Sequence, residues 1–496
     1  MINLSPHKII TAGLTLVVIC LAACKKSESG CAYCTEKEPV GYMVGTMCSD
    51  DDTKPQNQVA VIFKTLNNAV APIGNNWNDP SAGANRVHSI FPTGWTSDKI
   101  GQVFGIALDH NSGIYLSATD VYQMDGLMSF VYNNGVKWAS GSGPAGPAGI
   151  YYTNYNTVNT TTALVTTLNS SNANTVGTNQ ISNTGFATTV GNGIGNIAYD
   201  YKNNQLFATN LEDGKIYRID PASGKIKSTL DPFNADDQRP GIAPVGEQLW
   251  GIGVYTTSGG TKIYFALSTL PHITNSFAAG GVEIWSVDLT ATGEFDAATS
   301  GGNIFTATTT SGYIKKEVSV GGTQTKVTDI AFSNAGKMLI AERGNPHAAG
   351  VFEYAYSGSG WAAANSFYVG GGSLPATGSG GNPTGYLPGK NAAGGVDYGE
   401  REQSSGSFLY SDIVWGTGNY MPTKTLVGPY PNFVYGAQGM NNTGNSTLLP
   451  TNAQNDLYID YNCTGWPHVF DSNSSVKNKI GDVEFFDRIC IANRQN

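Results

Sequence analysis

Apolar and polar positions alternate in short bursts along this chain, and one burst recurs. Gly105-Ile106-Ala107-Leu108-Asp109 is followed by a turn and then by Ile114-Tyr115-Leu116-Ser117-Ala118-Thr119, the pattern of two half-buried strands joined as a hairpin. Asn196-Ile197-Ala198-Tyr199-Asp200 with Leu206-Phe207-Ala208-Thr209 repeats it, as does Asp329-Ile330-Ala331-Phe332-Ser333 with Met338-Leu339-Ile340-Ala341. Gly241-Ile242-Ala243 before Leu249-Trp250 reads as a shortened copy. A third strand follows three of the hairpins, at residues 215–220, 282–288 and 351–354; residues 149–152 fit the same place, and 224–230 supply a weaker fourth strand.

Strand, turn, strand, loop, strand, strand is the unit of a propeller blade. A single blade exposes both faces of its sheet, and only neighbouring blades can cover them, so radial closure follows from the repeat. The first-strand isoleucines Ile106, Ile197, Ile242 and Ile330 are 91, 45 and 88 residues apart, which reads as two, one and two blade lengths of about 40–50 residues. The expected fold is all-β: a β-propeller of six or seven four-stranded antiparallel blades over residues 58–490, with 491–496 as a tail.

Composition agrees. Charged residues make up 13% of the chain, while Gly reaches 62 and Tyr 25. An average domain carries about 25% charged residues, and glycine turns between tyrosine-rich strands suit a β-structure. The net charge of −9 argues against a nucleic-acid partner.

The N-terminus carries a different signal. His7 and Lys8 precede the apolar run Ile9 to Ile19, which is too short to span a bilayer and ends in Leu21-Ala22-Ala23-Cys24. This resembles the lipobox of bacterial lipoproteins. The resemblance implies removal of residues 1–23, a lipid on Cys24, attachment to a membrane through that lipid and a place in the cell envelope, with the outer membrane the expected site. Removing residues 1–23 takes away Lys8 and no acid, so the charge moves to −10. Residues 24–57 are polar, include Asp50-Asp51-Asp52, lack apolar periodicity and read as a disordered tether. Cys31-Ala32-Tyr33-Cys34 has redox or zinc-knuckle spacing, but no second CxxC or Cys/His pair lies nearby, so it reads as a small disulfide loop. Cys463 and Cys490 share the last blade-sized segment and are the expected disulfide.

The hairpin motifs are similar to those of extracytoplasmic propellers with NHL-like or related repeats. The ending Lys479-Ile480-Gly481-Asp482-Val483-Glu484-Phe485-Phe486 also resembles the closing strand of propeller modules in large bacterial surface proteins. Propeller lactonases hold a divalent cation with Glu, Asn and Asp from several blades, which by position makes Asn196, Asp329 and Glu342 candidate ligands for Ca2+. Loops after the second strands open on the rim where propellers bind ligands, which nominates Asp120, Asn210, Glu212, Glu342 and Arg343. Aromatics in the later loops, Trp415 and Tyr430 foremost among Trp361, Tyr386, Tyr398, Tyr420, Tyr435 and Trp466, suit stacking on a sugar or a protein.

The chain has no GxSxG elbow, HExxH or P-loop. Gly191-Asn192-Gly193-Ile194-Gly195-Asn196 lacks the last glycine of a dinucleotide fingerprint, and Leu374-Pro375-Ala376-Thr377-Gly378 matches a sortase pentapeptide without the apolar segment and basic tail that signal needs. The functional expectation is a lipid-anchored binding or assembly module for a glycan or envelope protein, with no catalytic residue assigned. The alternatives are a calcium-dependent hydrolase or lactonase and a structural subunit of a surface assembly.

Overall fold

The computed structural model describes residues 31–36, 41–47, 58–65, 89–119, 144–168, 193–211, 213–233, 249–268, 282–296, 314–320, 326–343, 349–370, 389–402, 408–422, 433–443, 457–461, 480–486 and 488–492. Their strands form six antiparallel sheets arranged as the blades of a ring. Strands β1 (Cys31–Glu36), β2 (Tyr42–Met47), β3 (Ala60–Lys64) and β4 (Ser89–Ile90) open the chain. Blade 2 is β5 (Val103–Leu108), β6 (Gly113–Ala118), β7 (Gly149–Asn154) and β8 (Ala163–Thr167). Blade 3 is β9 (Ile194–Asp200), β10 (Gln205–Asn210), β11 (Lys215–Ile219) and β12 (Ile226–Leu230). Blade 4 is β13 (Leu249–Thr257), β14 (Gly260–Ser268), β15 (Val282–Asp288) and β16 (Ile314–Val320). Blade 5 is β17 (Lys326–Phe332), β18 (Lys337–Arg343), β19 (Val351–Tyr356) and β20 (Trp361–Phe367). Blade 6 is β21 (Ala392–Glu402), β22 (Phe408–Pro422), β23 (Phe433–Asn441) and β24 (Leu457–Asp460). The chain then ends in β25 (Ile480–Phe486) and β26 (Arg488–Ala492).

Blade 1 is built from both ends of the chain: β25 is its innermost strand and pairs with β2, which pairs with β3 and then β4. The propeller therefore starts at Tyr42 rather than at residue 58. The stretch read as tether contains two strands, because Tyr42-Met43-Val44-Gly45-Thr46-Met47 finds its partner in β25 instead of nearby in the chain. Beyond β2 and β25 the ends pair once more, as the ribbon β1–β26, and Ala492 bridges to Thr257 of blade 4, so blade 4's sheet grows to six strands.

Three of the predicted hairpins, all four predicted third strands and the predicted fourth strand lie where their patterns place them. The turns have a shared cause. Asp109 and Asp200 close their hairpins by accepting backbone N–H bonds, from Asn111 at 2.7 Å and Gly113 at 2.8 Å in the first and from Lys202 at 3.1 Å in the second. Ser333 accepts from the Lys337 N–H at 3.0 Å in the same place. One assignment shifts: Leu249-Trp250 begins the innermost strand of blade 4 and is not a second strand, while Ile242 lies outside the described residues. The 91-residue gap from Ile106 to Ile197 is thus one blade with a long insertion, since both sit on innermost strands of adjacent blades.

Six apolar clusters fill the six junctions between blades. Met43, Phe63, Trp415, Tyr461 and Phe485 join blades 6 and 1, for example, and Ala107, Tyr115, Ile197, Tyr199 and Leu206 join blades 2 and 3. Each such side chain contributes about 1.5–3 kcal/mol on burial, and each needs the neighbouring blade to be covered, so the clusters close the ring. Among the described residues, no helix is long and apolar enough to cross a membrane.

Candidate functional site

All six blades break register at the same place, near the start of the innermost strand. The irregularities fall between Val103 and Ile106, between Leu249 and Ile252, between Val327 and Asp329, and between Ala392 and Val396 on innermost strands. In the other two blades they are marked on the second strand, at Ala208/Asn210 and Gly45/Met47. A bulge frees a residue from the ladder and re-aims its side chain, and here six bulges occur around one axis. Asp482, Asn196 and Asp329 stand at these positions in blades 1, 3 and 5, and Gly105, Gly251 and Gly395 stand there in blades 2, 4 and 6.

The alternation is steric. A Cβ on Gly105 would lie 2.3 Å from Asn196 Oδ1, one on Gly251 2.7 Å from the Asp329 nitrogen, and one on Gly395 2.5 Å from the Asp482 Cα. Gly105 makes room for the Asn196 side chain, while Gly251 and Gly395 let the neighbouring backbone approach at Asp329 and Asp482.

The three side chains are buried and bonded to one another and to the ring. Asn196 Nδ2 donates to Asp329 Oδ1 and to the Thr328 carbonyl, each at 3.0 Å, and its Oδ1 accepts the Ile197 N–H at 2.7 Å. Asp329 also accepts the N–H of Ile330 and, from blade 6, that of Val396, both at 2.8 Å. Asp482 accepts the Val483 N–H at 2.9 Å and, from blade 2, the Ile106 N–H at 3.1 Å. Asp329 and Asp482 hydrogen-bond to each other. Two carboxylates in such contact need a shared proton. Burial, reinforced by the neighbouring charge, pushes Asp482 well above the ordinary carboxylate range, and burial raises Asp329 to about 7.

Threonines complete the staple: Thr209 donates to the Trp250 carbonyl at 2.6 Å, Thr46 to Phe104 at 2.7 Å and Thr328 to Gly394 at 2.8 Å, each reaching into the next blade. Above them, Arg343 donates to the carbonyls of Ala393 and Ile480 and lies 5.5 Å from the Phe104 ring of the opposite blade. Buried Lys326 stands 5.8 Å over the Trp250 ring, its pKa lowered by burial to about 7.

Among the described residues, no group of three or more His, Cys, Asp or Glu is placed to hold a metal ion. Ca2+ takes six to eight oxygens from ionised or carbonyl donors. Asp329 and Asp482 accept N–H groups of the ring, and Asn196 presents its amide nitrogen to Asp329. Glu342 accepts the Gly350 N–H at 2.9 Å beside its own blade's third strand. Asn196 and Asp329 are indeed together, with Asp482 beside them.

The rim candidates divide. Asn210, Glu342 and Arg343 are buried at the ends of second strands, so none is a solvated loop residue. Trp415 is 1% exposed and stacks on Phe485 at 5.3 Å in the core between blades 6 and 1, which corrects its assignment to a ligand surface. Asp120, Glu212, Tyr430, Cys24 and Cys463 lie outside the described residues, and Cys490 is on β26. Asp482 was not among the candidates, although Gly481-Asp482-Val483 repeats the pattern of Gly195-Asn196-Ile197.

A second cluster lies at the opposite end of the ring, where the innermost strands finish. Between blades 4 and 5, Tyr255 stacks on Phe332 at 4.8 Å, Tyr264 meets Phe332 at 4.9 Å, and Trp361 stands 5.5 Å from Tyr356 and 5.9 Å from Phe332. Tyr264 is buried beneath; Tyr255, Phe332 and Trp361 are half-buried, and Tyr356 is 38% exposed.

No protein-family model matches the chain, and no curated protein sequence matches it. Solved structures of similar shape include a nidogen/laminin complex, at 8% identity and a TM-score of 0.39 over 89% of this chain and 97% of that one. The periplasmic gluconolactonase of Pseudomonas aeruginosa is similar at 11% identity and 0.35, over 78% and 80%. The calcium-binding protein regucalcin from Agrobacterium tumefaciens is similar at 11% and 0.33, over 80% and 88%.

Proposed function

We propose that this chain is a lipid-anchored binding module of the cell envelope, and that it takes a glycan on the aromatic surface between blades 4 and 5. The observation that carries the reading is the Trp361 cluster. Rings there pack against Trp361 at steep angles, with Tyr356 38% exposed and Trp361 half-buried. Sugar rings present C–H faces that stack on such aromatics, and a preformed platform gives up little side-chain entropy on binding. Support against the hydrolase alternative comes from the axis, where the carboxyl groups are committed to the blades.

The experiment is a glycan array probed with the purified chain. Trp361→Ala and Tyr356→Ala should weaken capture at least about tenfold, the equivalent of 1.4 kcal/mol, while Leu164→Ala on exposed β8 should leave it unchanged. Capture of no glycan, with stoichiometric recovery of a cross-linked envelope protein from intact cells, would replace the reading with that of an assembly subunit. The anchor rests on the run ending at Cys24; Cys24→Ala should yield a product without acyl mass, and an unchanged acylated mass would refute it.

A further inference from the structure

We propose that Cys34 and Cys490 form a disulfide that ties the two ends of the chain together across the terminal ribbon. β1 and β26 run antiparallel, and their register sets Cys34 opposite Cys490, followed by Thr35 opposite Ile489 and Glu36 opposite Arg488. Opposed Cα atoms in an antiparallel pair lie about 4.5 or 5.5 Å apart, depending on hydrogen-bonding position. Both values fall within the roughly 4.4–6.8 Å that a disulfide spans, and directly opposed residues share one face of the ribbon.

The competing pairing within the CxxC sequence meets the strand geometry. Cys31 and Cys34 lie on the same extended strand, Cys31 opposite Ala492. On a regular strand three residues at about 3.3 Å each span roughly 10 Å; the register shifts between Cys31 and Tyr33, while Cys34 stays in direct opposition to Cys490. The small loop expected from the Cys-x-x-Cys spacing therefore gives way to a cross-strand partner that sequence proximity does not reveal.

The position also explains what the bond would do. β25 is held to β2 by ladder hydrogen bonds, and this pairing of chain ends closes the ring. The ribbon continues directly from it and meets blade 4 through the Thr257–Ala492 bridge. A two-stranded ribbon is marginal by itself, and a covalent tie between its strands would stop the closing blade from unzipping at the chain ends. The bond forms by exchange with the disulfide of a thiol oxidant. One cysteine thiolate attacks an oxidant sulfur and releases one oxidant thiolate; the second cysteine then displaces the remaining oxidant sulfur. Two protons and two electrons thereby pass to the oxidant, whose two sulfurs leave as thiols.

The test is peptide mapping of the full chain after equilibration with oxidised glutathione, alkylation without reduction, and digestion. The expected product joins the peptide of Cys34 to that of Cys490, separates on reduction, and is missing from Cys34→Ser and Cys490→Ser. In the same samples, reduction should lower the melting temperature of the wild type to that of Cys34→Ser. A Cys490 peptide joined to Cys463, a Cys31–Cys34 linkage, or both Cys34 and Cys490 recovered alkylated would overturn the proposal. It stands apart from the glycan reading and does not depend on what the aromatic surface binds.

Discussion

Asp482→Ala should destabilise the protein by roughly 2–6 kcal/mol, the cost of leaving two buried N–H groups unsatisfied at about 1–3 kcal/mol each. The alanine would leave the Ile106 and Val483 N–H groups without their acceptor and strip Asp329 of its proton-sharing partner. Chemical denaturation reads the loss directly. The same pair predicts a pH dependence whose sign can be worked out. A carboxyl of the unfolded chain has given up its proton above about pH 4, whereas burial keeps Asp329 protonated to about pH 7 and holds the Asp482 proton well above the ordinary carboxylate range. Between those values the native state binds more protons than the unfolded state, so stability falls as pH rises. Lys326 acts oppositely and at higher pH: its folded pKa of about 7 lies below its usual 10.5, so its contribution rises with pH across that interval. Comparing Asp482→Asn with wild type isolates the carboxyl pair. The variant should flatten the decline between pH 4 and 7, and an identical slope in both proteins would show that the two carboxyls do not share a proton.

Trp415→Ala should cost a further 3–5 kcal/mol in an otherwise wild-type chain, the range for deleting a large core aromatic. The indole is buried against Phe485, and added Cβ atoms at Gly399 and Gly439 would come within 2.6 and 2.9 Å of its ring, so the backbone packs directly on it. The loss should appear in the denaturation midpoint, with glycan capture per folded molecule unaltered. Reduced capture at unchanged stability would instead return Trp415 to a binding surface.

The three blade hairpins at Gly105, Asn196 and Asp329 were legible because each compresses a strand, an Asp or Ser turn and a second strand into about 15 residues. The blade that closes the ring was not, since β2 pairs with β25, more than 400 positions away, and six residues of alternating pattern cannot name a remote partner. The reading of Leu249-Trp250 as a second strand misled for a related reason. The spacing of Ile242 fitted a blade, yet the innermost strand of blade 4 begins at Leu249, and insertions between blades vary too much for period alone to set the phase. Asn196 and Asp329 were nominated together and lie together. A cation and a ring of backbone N–H groups are both satisfied by inward-facing Asn and Asp, so residue type alone does not tell the two roles apart. The Trp361 surface assembles aromatics from β13, β17, β19 and β20, so no local run of sequence displays it.

The central claim is that the axis is a proton-sharing structural plug, which leaves ligand recognition to the outer surfaces. Its most direct test is a thermal melt of the full chain with chelator and with millimolar calcium, alongside Asp329→Asn. The account predicts that neither addition moves the melting temperature of the wild type. A saturable calcium-dependent rise in the wild type that disappears in Asp329→Asn would contradict it and make the axis a metal centre.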